Sequence, residues 1–376
     1  MKRAFTPEAL PPNPAIDFNK KLVERLSNAS FALGSLDGLS KVPGLEMLLS
    51  QYERKEAVFS SQIEGSQSTL NDLLAYEDND ASKVHEDVVE VSNYMTALTY
   101  GFERLLKDGF PLSLRLIKEM HGKLLPDGRG SIKTIGEFKH AQNWLGGTSL
   151  KNAVFIPTPP HETLPAMGEL EKFINDKSHG LPTLIVAGLA HVQFETIHPF
   201  VDGNGRLGRM LISLILCEAG LLKEPSLYLS SFFKANRAAY YEKLQGVRLN
   251  GDWEAWLDFF LECVEVTATN AVEAATHINE VYKRDRSELT ASGKGSHGVL
   301  RTHECMFGRI FANAGQIANV SGLSIPTVHT ALQTLVEFGI LEETTGKQRG
   351  KRYLYNEIHS ALTLELGDFT FSKRTL

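Results

Sequence analysis

Cysteine is nearly missing from this chain: Cys217, Cys263 and Cys305 are the only three among 376 residues, and no two of them form a C-x-x-C pair. So few thiols, odd in number and far apart, exclude a disulfide framework and a thiolate zinc site, and a reducing, cytoplasmic setting is expected. Long apolar runs are missing as well. Stretches such as "LIVAGLA" fall short of the ~20 residues a membrane helix needs, and "MKRAFTPEALPP" has no apolar centre of a signal peptide. A soluble chain that is neither exported nor anchored in a membrane is therefore expected. Basic residues are not in excess, since 39 Lys and Arg face 45 Asp and Glu for a formal charge of -6, which gives no global attraction to nucleic acid or an anionic surface. The Walker pattern G-x-x-x-x-G-K-[ST] occurs nowhere, which excludes a P-loop nucleotidase.

What is present is enough apolar material, 42% of residues, to fill more than one core. From about Pro43 to Val281 most segments carry apolar residues at helical spacing, as in "LEMLLSQYERKEAVFSSQIEG" and "LPTLIVAGLAHVQFETI", so a mainly α body is expected. "TIGEFKHAQNWLGGTSLKNAVFIPTPP" breaks the rhythm. Two short apolar stretches flank Gly146-Gly147 and prolines close the second, which predicts a β-hairpin flap inserted among the helices. Between Lys283 and Gly298 serine, glycine and charge displace apolar residues, and a linker is expected there. A second domain then starts near Val299. Its two short helices, the second capped by Ser324 with Pro326 in its first turn, followed by two strands, spell a winged helix-turn-helix. The expected division is 1–110, a helical region; 111–285, the core; and 286–376, the winged helix.

The stretch "IHPFVDGNGRLGR", Ile197 to Arg209, carries the chemistry. Its Gly203, Gly205 and Gly208 spell the dinucleotide fingerprint G-x-G-x-x-G, but that fingerprint needs a preceding strand, and here a helix precedes and more helix follows. The glycines have another use. They let backbone approach an anion at the N-terminus of the next helix, where free N–H groups and the dipole favour negative charge. Arg206 and Arg209, three apart, form a fork for phosphate oxygens. Asp202 beside such an anion calls for an intervening cation, for which Mg²⁺ held by one carboxylate and phosphate oxygens is the expectation. His198 supplies a group able to accept a proton near neutral pH.

"HPFVDGNGRLGR" resembles the H-x-F-x-[DE]-G-N-[GK]-R-x-x-R motif of the Fic family at every specified position. The resemblance implies a Fic-type helical bundle and transfer of AMP from ATP to a Tyr, Ser or Thr hydroxyl of a target protein, self-modification included. It implies that His198 deprotonates that hydroxyl, Phe200 anchors the loop in the core and Asp202 holds Mg²⁺. Gly203, Asn204 and Gly205 cradle the phosphates, and Arg206 and Arg209 lie toward the β and γ ends. It also implies that the flap residues Asn143, Trp144, Leu145 and Gly146 cover the nucleotide and that Tyr240 lines its adenine side. Removal of AMP, or transfer of a phosphate or another nucleotide on the same site, stays open.

A brake is expected from "FSSQIEG". Glu64 falls at a helix C-terminus ahead of Gly65, a natural C′ residue, where a carboxylate meets the negative dipole end and wants a cation. Ser60, one turn earlier, is expected to hydrogen-bond and orient that carboxylate. The pattern S-x-x-x-E-G is similar to the inhibitory motif of the Fic class with an N-terminal inhibitory helix, which implies a Glu64–Arg209 pair that competes with the γ-phosphate. In the winged helix, "SIPTVHTALQTLVEFG" has no Lys or Arg, and basic residues cluster only at Lys347, Arg349, Lys351 and Arg352. DNA binding is left open but not favoured over protein docking, and a homodimer is also left open.

Overall fold

The computed structural model describes residues 3–39, 46–77, 86–125 and 134–363. Pro43, the expected start of the helical body, and residues 364–376 of the expected winged-helix domain lie outside them. Two compact units divide the chain, one built from 1–37 and 53–269, the other from 38–52 and 270–376. Their boundary cuts three helices, α1 (Lys20–Leu39), α2 (Glu46–Ile63) and α11 (Trp253–Ala291).

The first unit contains most of α1 and of α2, then α3 (Leu70–Glu77), α4 (Glu86–Phe102) continuing into a π-helical turn over Glu103–Lys107, and α5 (Leu114–Leu124). It goes on through α6 (Pro160–Asn175), α7 (Thr183–Ile197), α8 (Asn204–Glu218), α9 (Ser230–Ala235), α10 (Arg237–Asn250) and the first half of α11. Its centre is α7. Every residue from Leu184 to Ile197 is buried, as a helix apolar on all sides must be, and α8 packs along it. Gly188 makes room for α11. A Cβ there would sit 2.9 Å from the Phe260 ring, and the Trp256 indole N–H donates to the Gly188 carbonyl at 2.8 Å.

The expected hairpin flap is reduced to one antiparallel bridge, Leu145 with Phe155. Gly146 and Gly147 turn the chain at φ 65° and 73°, and Asn152 Oδ1 accepts from the N–H groups of Thr148 and Ser149. Pro157, Pro159 and Pro160 offer no N–H to extend a ladder, so the segment stays a braced loop.

In the second unit α12 (His297–Arg309), α13 (Ala314–Ser321), α14 (Ile325–Glu337) and α15 (Asn356–Thr363) surround a small antiparallel sheet. Its strands β1 (Phe311–Asn313), β2 (Glu342–Glu343) and β3 (Arg352–Leu354) lie in the order β1-β3-β2, with Ala312 opposite Tyr353. Asn313 and Gln316 form a capping box on α13, and Ser324 caps α14 with Pro326 in its first turn. This is the winged-helix arrangement read from the sequence. The expected linker over 283–298 is different: α11 stays helical to Ala291 and breaks only afterwards, at Gly293 with φ 73°. Ile278, Val281, Asp285 and Leu289 recur on one buried face, and the Tyr355 hydroxyl donates to Asp285 Oδ2 at 2.5 Å, so packing holds a helix that composition alone does not favour. All three cysteines are free and buried. Among the described residues no helix is long and apolar enough to cross a membrane.

Candidate active site

The connection between α7 and α8 is built around a backbone that ordinary residues avoid. Pro199 bars its predecessor from the α region, and His198 sits left-handed at φ 50°, ψ 62° while its N–H still donates to Phe194 O at 2.8 Å. Such a conformation costs on the order of 1 kcal/mol or more and needs outside support. Lys139 provides it. Its Nζ donates to Ile197 O at 3.1 Å, His198 O at 2.9 Å and Asn143 Oδ1 at 2.8 Å, capping the negative end of α7. Asn143 Nδ2 donates to His198 O and Phe200 O.

Phe200 is fully buried and stacks on His121 at 4.0 Å, with Phe138 at 5.2 Å. His121 Nδ1 accepts from Gly136 N, which leaves Nε2–H to donate to Asp202 O at 3.1 Å. Burial pushes its pKa down to about 4, so that bond comes from a neutral ring. Asn204 closes the turn. Its Oδ1 accepts from Phe200 N at 2.8 Å and its Nδ2 donates to Phe200 O at 2.9 Å.

Gly203, at φ 78°, starts α8, whose first N–H groups have no intrahelical partners. Two guanidiniums from α8 are buried nearby. Arg209 Nη2 donates to Glu64 Oε1 at 2.8 Å and to Ser60 O at 2.9 Å, and its Nε donates to Ser60 Oγ at 2.8 Å. Burial opposes its charge, but Glu64, Tyr240 and Glu195 outweigh that and hold its pKa above the usual arginine value. Arg206 is 3% exposed and poorly answered: Nη1 lies 3.7 Å from Glu90 Oε2 and Nη2 lies 3.6 Å from Asp202 Oδ1. Its Nε and Nη1 have no hydrogen-bond partner among the described residues.

Burial, then the charges of Lys139 and Arg248, push His198 down to about 3, so the imidazole is neutral at pH 7 and a weaker base than a free histidine. Asp202 Oδ1 accepts from Gly203 N, while its side chain is half exposed. Among the described residues no cluster of three or more metal-binding side chains exists. One open carboxylate suits a cation that takes most of its ligands from a bound molecule and water, which is the habit of Mg²⁺.

Several sequence-read roles change. Ser60 holds Arg209 and not the Glu64 carboxylate, because the guanidinium reaches both its hydroxyl and its carbonyl. The side chains of Asn143 and Asn204 are hydrogen-bonded to loop backbone. Tyr240 is 1% exposed, its hydroxyl paired with His191 Nε2 at 2.8 Å inside an aromatic cluster, whereas Tyr241 faces solvent. Trp144 is exposed on the flap, and the backbone of Leu145 makes the bridge. Gly65 has φ 109° directly after α2, with Glu64 in the turn before it.

Other residues of the site were not read from the sequence. Glu56 is buried and accepts from Ser230 N, Ser230 Oγ and Tyr94 Oη, fastening α2 in place. Glu195 is buried three residues before His198, and burial pushes its carboxyl up to about 7. Arg248 Nε donates to Thr196 Oγ1 and Nη2 to Glu195 O, and its guanidinium lies 4.2 Å from the Phe155 ring. The spacing of Glu195 from His198 on one helix was the one available signal.

Residues 111–216 match the Fic/DOC family, and residues 23–103 match the Fic/DOC family N-terminal region. The chain carries both Fic/DOC domains. Residues 312–345 match the IclR helix-turn-helix domain, in keeping with the second unit. A protein adenylyltransferase Fic of Aedes aegypti is 29% identical over 241 residues, 61% of this chain and 45% of that protein. Its counterpart from Culex quinquefasciatus is 28% identical over 291 residues, 75% of this chain and 54% of that protein. The chain thus spans about half the length of the curated relatives it matches. A crystal structure of a Fic family protein from Desulfovibrio desulfuricans has the same fold, with a TM-score of 0.60, 19% identity, and coverage of 90% of this chain and 97% of that one.

Proposed function

We propose that this Fic protein is a protein adenylyltransferase, which moves AMP from ATP to a Tyr, Ser or Thr hydroxyl of a target protein, itself included, and that Glu64 brakes it in the form described here. The observation that carries the reading is Arg206, a buried guanidinium with two unpartnered nitrogens on the first turn of α8. Its two carboxylates, Glu90 and Asp202, stand no closer than 3.6 Å and leave the buried donors unbonded, and a phosphate chain lying on the helix N-terminus would satisfy them.

The hydroxyl oxygen of the acceptor bonds to the α-phosphorus, the bond from that phosphorus to the pyrophosphate oxygen breaks, and the hydroxyl proton passes to His198. Pyrophosphate departs. The neutral imidazole suits the base, and the braced left-handed turn fixes its direction. The N–H groups at the head of α8, with Arg206, answer the phosphate charge. Asp202 would hold Mg²⁺, which when bound neutralises phosphate charge.

The brake acts on Arg209. Its charged pair with Glu64 is bidentate in neither partner but is half dry, and a γ-phosphate oxygen would have to displace it. Gly205 makes this fit, because a Cβ there would lie 2.1 Å from Glu64 Oε1.

The test is incubation with Mg²⁺ and ATP labelled at the α or the γ phosphate. Glu64→Gly is expected to retain α label on protein at least ~10-fold above the native chain, and His198→Ala in that background to lose ~10²-fold or more, the scale of a general base. Retained γ label would mean phosphate transfer and would overturn the AMP reading. Unchanged labelling in Glu64→Gly would remove the brake.

The second unit supports a further, nucleic-acid reading. The outer side of α14 and the wing bound a groove of about 930 Å³ lined by His329, Thr330, Gln333, Arg349 and Lys351, with Glu337 and Glu343 opposing the two basic residues. A gel shift on the full chain tests it: Arg349→Ala should weaken binding to all sequences alike and lower the salt slope by about one phosphate contact. Absence of a salt-dependent shift in the native chain would sink it.

A further inference from the structure

Glu195 is a buried carboxyl that the mechanism above leaves without work. It lies one turn before His198 on the same face of α7, and its Oε2 is 3.9 Å from His198 Nδ1. Neither Nδ1 nor Glu195 Oε1 has a hydrogen-bond partner among the described residues. Gly208 shapes the space for the carboxyl, since a Cβ there would fall 2.5 Å from Oε1. The backbone oxygen of Glu195 also faces the ring and favours its protonated form, while it receives Arg248 Nη2 at 3.0 Å, so the carboxylate acts beside it.

We propose that Glu195 is the positioning residue of His198: its carboxylate keeps the imidazole proton on Nδ1, so that Nε2 faces the incoming hydroxyl, and it stabilises the imidazolium formed when Nε2 takes the proton. This rests on the adenylyltransferase reading for its consequence but not for its geometry. No bond to phosphorus involves Glu195. The proton moves from the acceptor oxygen to Nε2, and the positive charge that results sits between Nδ1 and the carboxylate.

The surroundings require such a partner. The cations facing the ring are Lys139 from the flap-side loop and Arg248 from α10, and both oppose protonation of His198. Arg209 from α8 and Glu64 from the turn after α2 face Glu195 instead, together with Arg248. Arg209 and Arg248 favour its ionised form, while Glu64 disfavours it. Displacing Glu64 therefore helps twice, freeing Arg209 and promoting the ionised carboxylate that His198 needs. A contact that is long before substrate binds and tightens as charge develops is ordinary for a base and its orienting group.

The experiment compares Glu64→Gly with Glu64→Gly carrying Glu195→Gln, which keeps shape and removes charge. Expected is a fall of at least ~10-fold in kcat with KM for ATP within about twofold, and a displaced acidic limb of the kcat/KM pH profile. A second readout needs no turnover: nitrogen NMR of the His198 ring in the full chain should report the Nδ1–H tautomer, lost in Glu195→Leu. Should the Gln variant fail to fold, Glu195→Asp, which retains charge at a greater distance, is expected to restore the native pH limb with an intermediate kcat. Unchanged kcat, pH limb and tautomer would overturn the proposal while leaving AMP transfer intact. The expected tautomer in a chain that transfers no AMP would leave the Glu195–His198 pair standing and remove the reaction.

Discussion

At the scale of single residues, the site depends on what one residue omits and what another supplies. Gly205 has no Cβ, and the Glu64 carboxylate rests against that gap. Gly205→Ala should therefore expel Glu64 from Arg209. Its effect on thermal stability should be non-additive with Glu64→Ala, with a coupling of about 0.5–3 kcal/mol in a double-mutant cycle. Additive losses would mean the two do not share one contact. Ser60 contributes an acceptor to a buried charged donor, so Ser60→Ala is expected to cost about 1–3 kcal/mol in urea unfolding, in line with a charged group left short of a partner.

At the scale of elements, Lys139 ties the flap-side loop to the end of α7. Lys139→Met would leave the carbonyls of Ile197 and His198 without that cap and should cost about 1–3 kcal/mol. Faster amide exchange should then spread from His198 to Gly203, and protection that stays unchanged there would refute the bracing role. How far the sequence revealed such things follows from their range. The turn from His198 to Arg209 was legible because its parts are neighbours in the chain and each has a distinctive chemistry. The winged helix was legible from its caps, Ser324 and Pro326. Lys139, Glu56 and Arg248 were not, since a lysine or glutamate in a sequence reads as solvated until distant segments bury it. Tyr240 and Tyr241 show the finest limit: one residue along a helix is a rotation of about 100°, enough to exchange core for solvent. The flap and the helical stretch before Ala291 differ from expectation because composition reports propensity, while packing of Ile278, Val281 and Leu289 decides.

Across the whole molecule, buried histidines set the response to acid. Burial pushes His121 and His303 down to about 4, and His191 and His198 down to about 3, all from an ordinary 6.5. Between pH 6.5 and 4 the unfolded chain takes up protons that the folded chain refuses, so on their account stability falls as pH falls. Glu195, pushed up to about 7, has the opposite sign from 4.5 to 7, and Glu195→Gln should steepen the acid loss. Urea midpoints recorded between pH 7 and about 5 should decline, and a flat profile would contradict neutral buried rings.

The grip of Ser60 on Arg209 has a further consequence. The helix that bears the obstructing carboxylate also splints the arginine, through one hydroxyl and one carbonyl that stay when the carboxylate swings aside. Proteolysis that severed this helix would slacken the arginine along with the obstruction. Activation by amputation should therefore yield a poorer enzyme than a single trimmed glutamate.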